Sequence, residues 1–340
     1  MRQLNPLKIS KINRLTSDSV EIFFSIPENL KSEFEFIAGQ YITISANINN
    51  EQVRRAYSLC SHPDSSEVAV GVKKVEGGKM STFLTDIIKE GDIVDVMKPK
   101  GRFILGTQEK VVGICAGSGI TPILSMMKKM KNKSDFTLVY GNKTEDSSMF
   151  FPDIKQMNIN THFAYSREEV EECFYSRIDK DLLSKLSEEK SFLQAEAYFI
   201  CGPGEMIDMA EEFLLEKGVE KSKIHFERFT AKKKKKVKIT PEESSEIISN
   251  ITVILDGDEF EYTLSSKGSS ILDSAMDEGA DVPFSCKGAV CCTCKAKVIE
   301  GKAIMEKNFS LSEEEVEEGY ILTCQSHPIT KTIVVDYDEM

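Results

Sequence analysis

A chain of 340 residues with 41% hydrophobic content is about twice the usual length of one domain and can bury two or three apolar cores. Its net charge of -12 argues against nucleic acid as the main partner and favours a basic protein surface. The opening MRQLNPLKIS is polar, and no apolar run approaches the roughly 18 residues of a membrane span. A cytoplasmic protein with no membrane partner is predicted, whose nine cysteines serve metal or redox chemistry and not a disulfide framework.

Residues 1–105 are strand-rich and punctuated by turns, with VEIFFSI, QYITISA and EVAVGVKKV as strands, and predict an antiparallel β-barrel. RRAYSLCS, residues 54–61, reads on its own as a barrel strand with a surface cation. GGKMSTFL, residues 77–84, reads as a glycine-rich helix start that carries a serine. Together the two segments resemble the flavin signature of the ferredoxin-NADP reductase superfamily. The resemblance implies bound FAD, with Arg55 on a flavin phosphate, Tyr57 along the isoalloxazine and Ser58 hydrogen-bonded near its reactive nitrogen. It also implies that Gly78, Lys79, Met80, Ser81 and Thr82 donate to the diphosphate at a helix N-terminus, where unpaired N–H groups and the dipole favour anions.

From KVVGICAGSGITPILSMMKKM onward, apolar strands alternate with helical patterns, which predicts a parallel α/β domain over residues 106–231. In GICAGSGITP, Gly117 and Gly119 match the first two glycines of G-x-G-x-x-G, but Pro122 takes the third place and the dinucleotide fingerprint fails. Thr121 and Pro122 predict an N-cap and a first helical turn, so the glycine turn delivers an anion to a helix start. The segment is similar to the nicotinamide-nucleotide loop of the same superfamily, with Ala116 where many relatives carry glycine. YFICGPGEM, residues 198–206, matches a later strand-end motif of that superfamily, which implies that Cys201 is near the nicotinamide and acts with Ser58 as the catalytic pair. The plainer reading of Cys201 is a small buried residue closing a strand.

YSREEVEECFYSRID supplies Ser166, Arg167 and Arg177, and similar Ser-Arg pairs in NADPH-using relatives grip the 2'-phosphate, which implies NADPH. Arginine suits that phosphate because its planar fork donates twice. Ser166 and Glu169 also read as a capping box that requires no ligand. Phe229, in HFERFTA, falls where the reductase module ends in this superfamily, and is either near the flavin or core at the domain seam.

AKKKKKVKITPEESSEIISN has almost no apolar content and predicts a solvated linker over residues 232–249, its lysine run reading otherwise as a nucleic-acid or localisation patch. A flexible coil of that length reaches about 23 Å. Residues 250–340 then form a small α+β module, with strands ITVIL and EFEYTL and a helix at SSILDSAMDEG. Its segment SCKGAVCCTCKAKV sets Cys286, Cys291 and Cys294 as C-x4-C-x2-C, and Cys324 follows after 29 further residues. That is the plant-type ferredoxin spacing for a [2Fe-2S] cluster. Four thiolates also suit zinc, but zinc modules use two C-x2-C pairs and only one arm here has that spacing. Cys292 is the spare thiol, and Gly288 with its small neighbours lets backbone N–H groups approach the sulfurs.

The order of FAD-binding β-barrel, NADP-binding α/β domain, linker and β-grasp ferredoxin domain resembles the reductase components of bacterial oxygenases. The resemblance implies electron flow from NADPH through FAD and [2Fe-2S] to an oxygenase complex. No E-x-x-H precedes His62, His162, His225 or His327, so the metal ligands of an oxygen-activating di-iron bundle are not expected in this chain. A free-standing NAD(P)H oxidoreductase and an iron–sulfur sensor without turnover are the rival readings, and the sensor leaves the flavin and nucleotide segments unexplained.

Overall fold

The computed structural model describes residues 4–229 and 246–339. The chain divides into two compact units, Arg2–Phe229 and Thr230–Met340.

In the first unit, period-two stretches form β1 (Asn5–Thr16), β2 (Ser19–Ser25), β3 (Tyr41–Ile48), β4 (Glu51–Ser58), β5 (Val68–Lys73) and β6 (Ile93–Lys100). They pair antiparallel in the order β4-β3-β6-β1-β2-β5. A bridge between Leu59 and Val70 joins the two outer strands and closes the sheet into a barrel, which removes exposed strand edges. Leu7, Ile9, Ile22, Ile42 and Ile44 fill its interior. After β5 the chain turns through Gly77 and Gly78 into a short helix, α1 (Lys79–Thr82), which continues as one wider turn over Phe83–Ile87.

The same unit continues with β7 (Val111–Ala116), α2 (Ile120–Lys129), β8 (Phe136–Asn142), α3 (Phe151–Gln156) and β9 (Asn160–Tyr165). It ends with α4 (Lys180–Ser187), α5 (Lys190–Leu193), β10 (Ala197–Cys201), α6 (Gly204–Glu216) and β11 (Ile224–Glu227). The five strands are parallel in the order β11-β10-β7-β8-β9. Their apolar runs follow from burial on both faces, as every residue of β10 shows. Barrel and sheet share one apolar cluster, in which Ala38, Cys60 and Ala69 meet Met126, Phe150 and Phe199. Ser125 Oγ also donates across this seam to the Ser61 carbonyl at 2.8 Å. Each large side chain buried there contributes about 1.5–3 kcal/mol against about 1 kcal/mol for the hydrogen bond, so apolar packing dominates the seam.

Two local expectations fail here. Thr121 is not an N-cap: α2 already starts at Ile120 behind a 3-10 turn at Gly117–Gly119, and the buried Thr121 hydroxyl donates back to the Ser118 carbonyl at 3.0 Å. Ser166 and Glu169 form no capping box, because no helix begins there; the Ser166 N–H instead donates to the Asn142 carbonyl and prolongs the β8–β9 pairing.

The second unit contains β12 (Ile248–Leu255), β13 (Asp258–Ser265), α7 (Ile271–Asp277), β14 (Lys295–Glu300) and β15 (Ala303–Met305). It closes with α8 (Glu313–Glu317), β16 (Tyr320–Leu322), β17 (Ser326–Pro328) and β18 (Thr332–Asp336). The main sheet runs β13-β12-β18-β14-β16, with β12 and β18 parallel and the other pairs antiparallel, and β15 pairs with β17. This is the β-grasp arrangement, with Ile271, Leu272 and Ala275 of α7 packed into the core beneath the sheet. Ser270 caps α7, and Ser312 with Glu315 makes a reciprocal capping box on α8. Of the expected linker, residues 232–245 lie outside the described residues, including the lysine run, and β12 begins at Ile248. No helix among the described residues is long and apolar enough to cross a membrane.

Candidate redox sites

At the end of β4, Arg55 is exposed, Tyr57 is half-buried and Ser58 is buried. Residue alternation along the strand produces this arrangement, since Arg55 and Tyr57 share one face and Ser58 turns to the other. Burial holds the Tyr57 hydroxyl protonated far above its usual range. Gly78 stands at the start of α1, where a Cβ would meet Ser81 Oγ at 2.5 Å, so a side chain there would break the turn. Ser81 Oγ accepts from the Val75 N–H at 3.1 Å, while Met80 packs into the barrel core. Their side chains therefore shape the turn, and it is the first-turn N–H groups of Lys79, Met80 and Ser81 that lack intrahelical acceptors. Lys79 is exposed and pairs with Glu51, and Thr82 is half-buried. An exposed guanidinium, an aromatic wall and a glycine cradle with free N–H groups fit a flavin dinucleotide.

The carboxyl ends of the parallel strands meet in register: Cys115 opposes Tyr140 on β8 and Cys201 on β10, and Cys201 opposes Glu227 on β11. Open α/β sheets bind ligands at these ends. Gly119 packs so tightly that a Cβ would stand 2.1 Å from the Cys201 carbonyl oxygen. Gly117 adopts a positive φ of 56°, and Tyr140 Oη lies 3.1 Å from its carbonyl oxygen. The glycines leave the turn's backbone open to a nucleotide, which fits the second cofactor. Cys201 is buried, and burial pushes its thiol well above its usual range. Ser166, Arg167 and Arg177 lie at and beyond the end of β9; both arginines are exposed, and neither guanidinium has a partner among the described residues.

Glu227 was not singled out by the sequence. It is half-buried opposite Cys201, desolvation pushes its carboxyl up to about 8, and Ser58 Oγ donates to its Oε2 at 3.2 Å. The next residue, Arg228, ion-pairs with Asp208 and donates to the Gly204 carbonyl at 3.2 Å, holding the β11 end against α6. Phe229 is 40% exposed and so is not core at a seam.

In the second unit, Cys291, Cys294 and Cys324 are buried and Cys286 is half-buried. The Cys291 thiol donates to Cys286, and with the amides of Gly288, Val290 and Cys291 this brings Cys286 down to about 6 despite its burial. Cys294 likewise donates to Cys324, which the Ala289 amide also approaches and whose pKa is lowered. Cys291 further raises Cys294, and Cys286 acts on Cys324, so the four sulfurs form one electrostatically linked set. Lys287 and Ala289 adopt positive φ values of 48° and 64°, which turn the loop's N–H groups inward. Cys292 Sγ instead donates to the Ser310 carbonyl at 3.3 Å. The Ser285 hydroxyl is buried without a partner among the described residues, as a donor awaiting a sulfur acceptor would be. This donor set fits a thiolate-held cluster.

Residues 6–105 match the oxidoreductase FAD-binding domain, 114–212 the oxidoreductase NAD-binding domain and 253–328 the 2Fe-2S iron-sulfur cluster binding domain. The fold is that of phthalate dioxygenase reductase, with a TM-score of 0.63 at 23% identity over 98% of both chains. The protein is therefore an electron-transfer oxidoreductase of the flavin and iron–sulfur reductase class. It is 36% identical to the E component of 1,2-phenylacetyl-CoA epoxidase from Escherichia coli over 99% of both chains, and it belongs to that family of oxygenase reductases. It is also 28% identical to the ferredoxin reductase component of 3-ketosteroid-9-alpha-monooxygenase from Rhodococcus rhodochrous, over 97% of this chain and 96% of that one.

Serine substitution of Cys286, Cys291, Cys294 or Cys324 is expected to abolish the visible absorbance of the cluster, whereas Cys292→Ser keeps it; bleaching by Cys292→Ser alone would contradict the ligand set. For Glu227, the folded pKa of about 8 stands above the ordinary 4.5. Its contribution to stability is therefore complete below about 4.5 and is lost as pH rises toward 8. Thermal unfolding against pH should show this decline in the parent and its loss in Glu227→Gln.

Proposed function

We propose that this chain is the NADPH-dependent reductase of a cytoplasmic oxygenase that acts on an aromatic acyl-CoA thioester of the phenylacetyl-CoA kind. The end-to-end likeness to the E component of the phenylacetyl-CoA epoxidase, together with the unbroken order of FAD, NAD and cluster domains, carries this reading. When bound, the flavin takes two electrons from a nicotinamide and returns them singly, which matches a one-electron cluster downstream. Arg55 neutralises a flavin phosphate, Tyr57 packs along the ring and the turn over Gly78, Lys79, Met80, Ser81 and Thr82 receives the diphosphate. Ser58 and Cys201 would lie toward the reacting edges of the bound cofactors, and Glu227 accepts from the Ser58 hydroxyl and holds it in place. The turn of Gly117, Gly119 and Thr121 orients the nicotinamide nucleotide, and Phe229 shields the flavin side of the site. Cys286, Cys291, Cys294 and Cys324 hold the cluster.

The nucleotide is NADPH because Ser166, Arg167 and Arg177 follow β9 and neither guanidinium has a partner among the described residues, which leaves both available to the charge of a 2'-phosphate. Four glutamates follow Arg167 in sequence, at positions 168, 169, 171 and 172, so positive charge at the two arginines would offset local repulsion of that phosphate. Arg167→Ala and Arg177→Ala are each expected to raise KM for NADPH about 10- to 150-fold, the equivalent of one lost charge-assisted hydrogen bond, and to leave KM for NADH unchanged. Equal effects on both nucleotides would remove the assignment.

The acceptor meets an acidic surface. Glu313, Glu314, Glu317 and Glu318 of α8 and its flank, with Asp258, Glu259 and Asp338, are all exposed on the second unit. A basic docking face on the oxygenase follows, and screening over about 8–10 Å makes the encounter sensitive to salt. In stopped flow with the phenylacetyl-CoA oxygenase, electron transfer to the partner should slow as ionic strength rises while reduction of bound flavin by NADPH stays constant. Oxygenated product from this chain without a partner would overturn the proposal, and transfer only to a Rieske or steroid oxygenase would reassign the acceptor.

A further inference from the structure

Three buried hydroxyl and carbonyl groups behind the cluster loop form a chain that the ligand set does not account for. Tyr337, just past β18, donates from Oη to Thr323 Oγ1 at 2.7 Å, and Thr323 Oγ1 donates in turn to the Cys294 carbonyl at 2.9 Å. The Thr323 N–H donates to that same carbonyl at 3.1 Å. Tyr337 and Thr323 are 2% and 0% exposed, so water cannot replace these bonds. On the other side of Cys324, Gln325 Nε2 donates to the Cys324 carbonyl at 2.8 Å and to the Lys287 carbonyl at 3.2 Å. The two residues that flank the fourth thiol therefore each reach across to the loop that bears the other three. Thr323 grips it at Cys294, and Gln325 grips it beside Cys286.

Nothing local requires this arrangement. The 3-10 turn at Thr323–Gln325 is already closed by its own backbone and by Ser326 Oγ, which donates to the Leu322 carbonyl at 2.8 Å. A threonine whose hydroxyl and amide converge on one carbonyl of a distant loop adds a constraint between the two arms, and Tyr337 fixes the rotamer that makes the hydroxyl bond. We propose that Thr323, locked by Tyr337, and Gln325 form a clasp that fixes the spacing of Cys324 from Cys286, Cys291 and Cys294 and so retains the cluster. These are positioning residues, since none of them supplies a ligand atom. Partners that orient metal ligands in this way typically change metal affinity by 10- to 100-fold when removed.

The test uses the full-length holoprotein challenged with an iron chelator, with the loss of visible absorbance followed in time. Thr323→Val, which preserves shape and removes the hydroxyl, is expected to lose cluster about 10- to 100-fold faster than the parent. Thr323→Ser keeps the hydroxyl and should match the parent. Tyr337→Phe retains the Thr323 bond but frees its rotamer, so its rate should fall between the two, with a shifted electron paramagnetic resonance signal of the reduced cluster in both damaged variants. If Thr323→Val is isolated without cluster while Thr323→Ser holds it, the proposal stands on that contrast. Loss rates within twofold of the parent in both Thr323→Val and Tyr337→Phe would overturn it, as would equal loss in Thr323→Ser and Thr323→Val. The outcome is independent of which oxygenase accepts the electrons.

Discussion

The hydrogen bond from Ser58 to Glu227 joins the last residue of a barrel strand to the last residue of the sheet's outer strand, 169 positions along the chain. Register carries this constraint inward. Glu227 opposes Cys201, Cys201 opposes Cys115, and Gly119 of the nucleotide turn lies directly on the Cys201 carbonyl. One half-buried contact therefore sets β4 against the strand ends where a nicotinamide would lie. By itself such a bond contributes about 1 kcal/mol, and an isolated buried carboxylate would cost more than that. Desolvation raises the carboxyl's pKa, which lowers the cost of placing it here, and the apolar seam of Ala38, Cys60, Ala69, Met126 and Phe150 fixes both sides of the contact.

Much of this was legible in the sequence because its signals are local. Period-two stretches mark the barrel, doubly buried apolar runs mark the parallel sheet, and a cysteine loop declares itself by spacing alone. Glu227 was not legible because its partner is 169 positions away and its own segment, IHFE, looks like any strand end with a solvated acid. The one available signal was positional, an acid at the carboxyl end of a strand in a parallel sheet. Thr121 misled for a different reason. A threonine before proline is a good cap in isolation, yet the turn at Gly117–Gly119 begins the winding earlier and leaves Thr121 inside the helix. At Ser166 the capping pattern lost to strand pairing, since its amide was taken by the Asn142 carbonyl before a helix could start.

The second unit shows the same logic with the balance reversed, because its loop is strained locally and held globally. Lys287, Ala289 and Cys292 all occupy the left-handed region without being glycine, each at a cost of order 1 kcal/mol or more. Amide–sulfur hydrogen bonds offset that cost only when the sulfurs carry charge, so the loop conformation and the thiolate state support each other. The remaining strain is countered from outside: Phe309 N–H and Ser310 Oγ both donate to the Ala289 carbonyl, and Gln325 holds the Lys287 carbonyl. Two separate chain segments, at 309–310 and at 325, thus fix the backbone around the thiols before any electron arrives. A one-electron carrier benefits from that rigidity, since a cage that does not relax between charge states places little rearrangement between arrival of an electron and its departure.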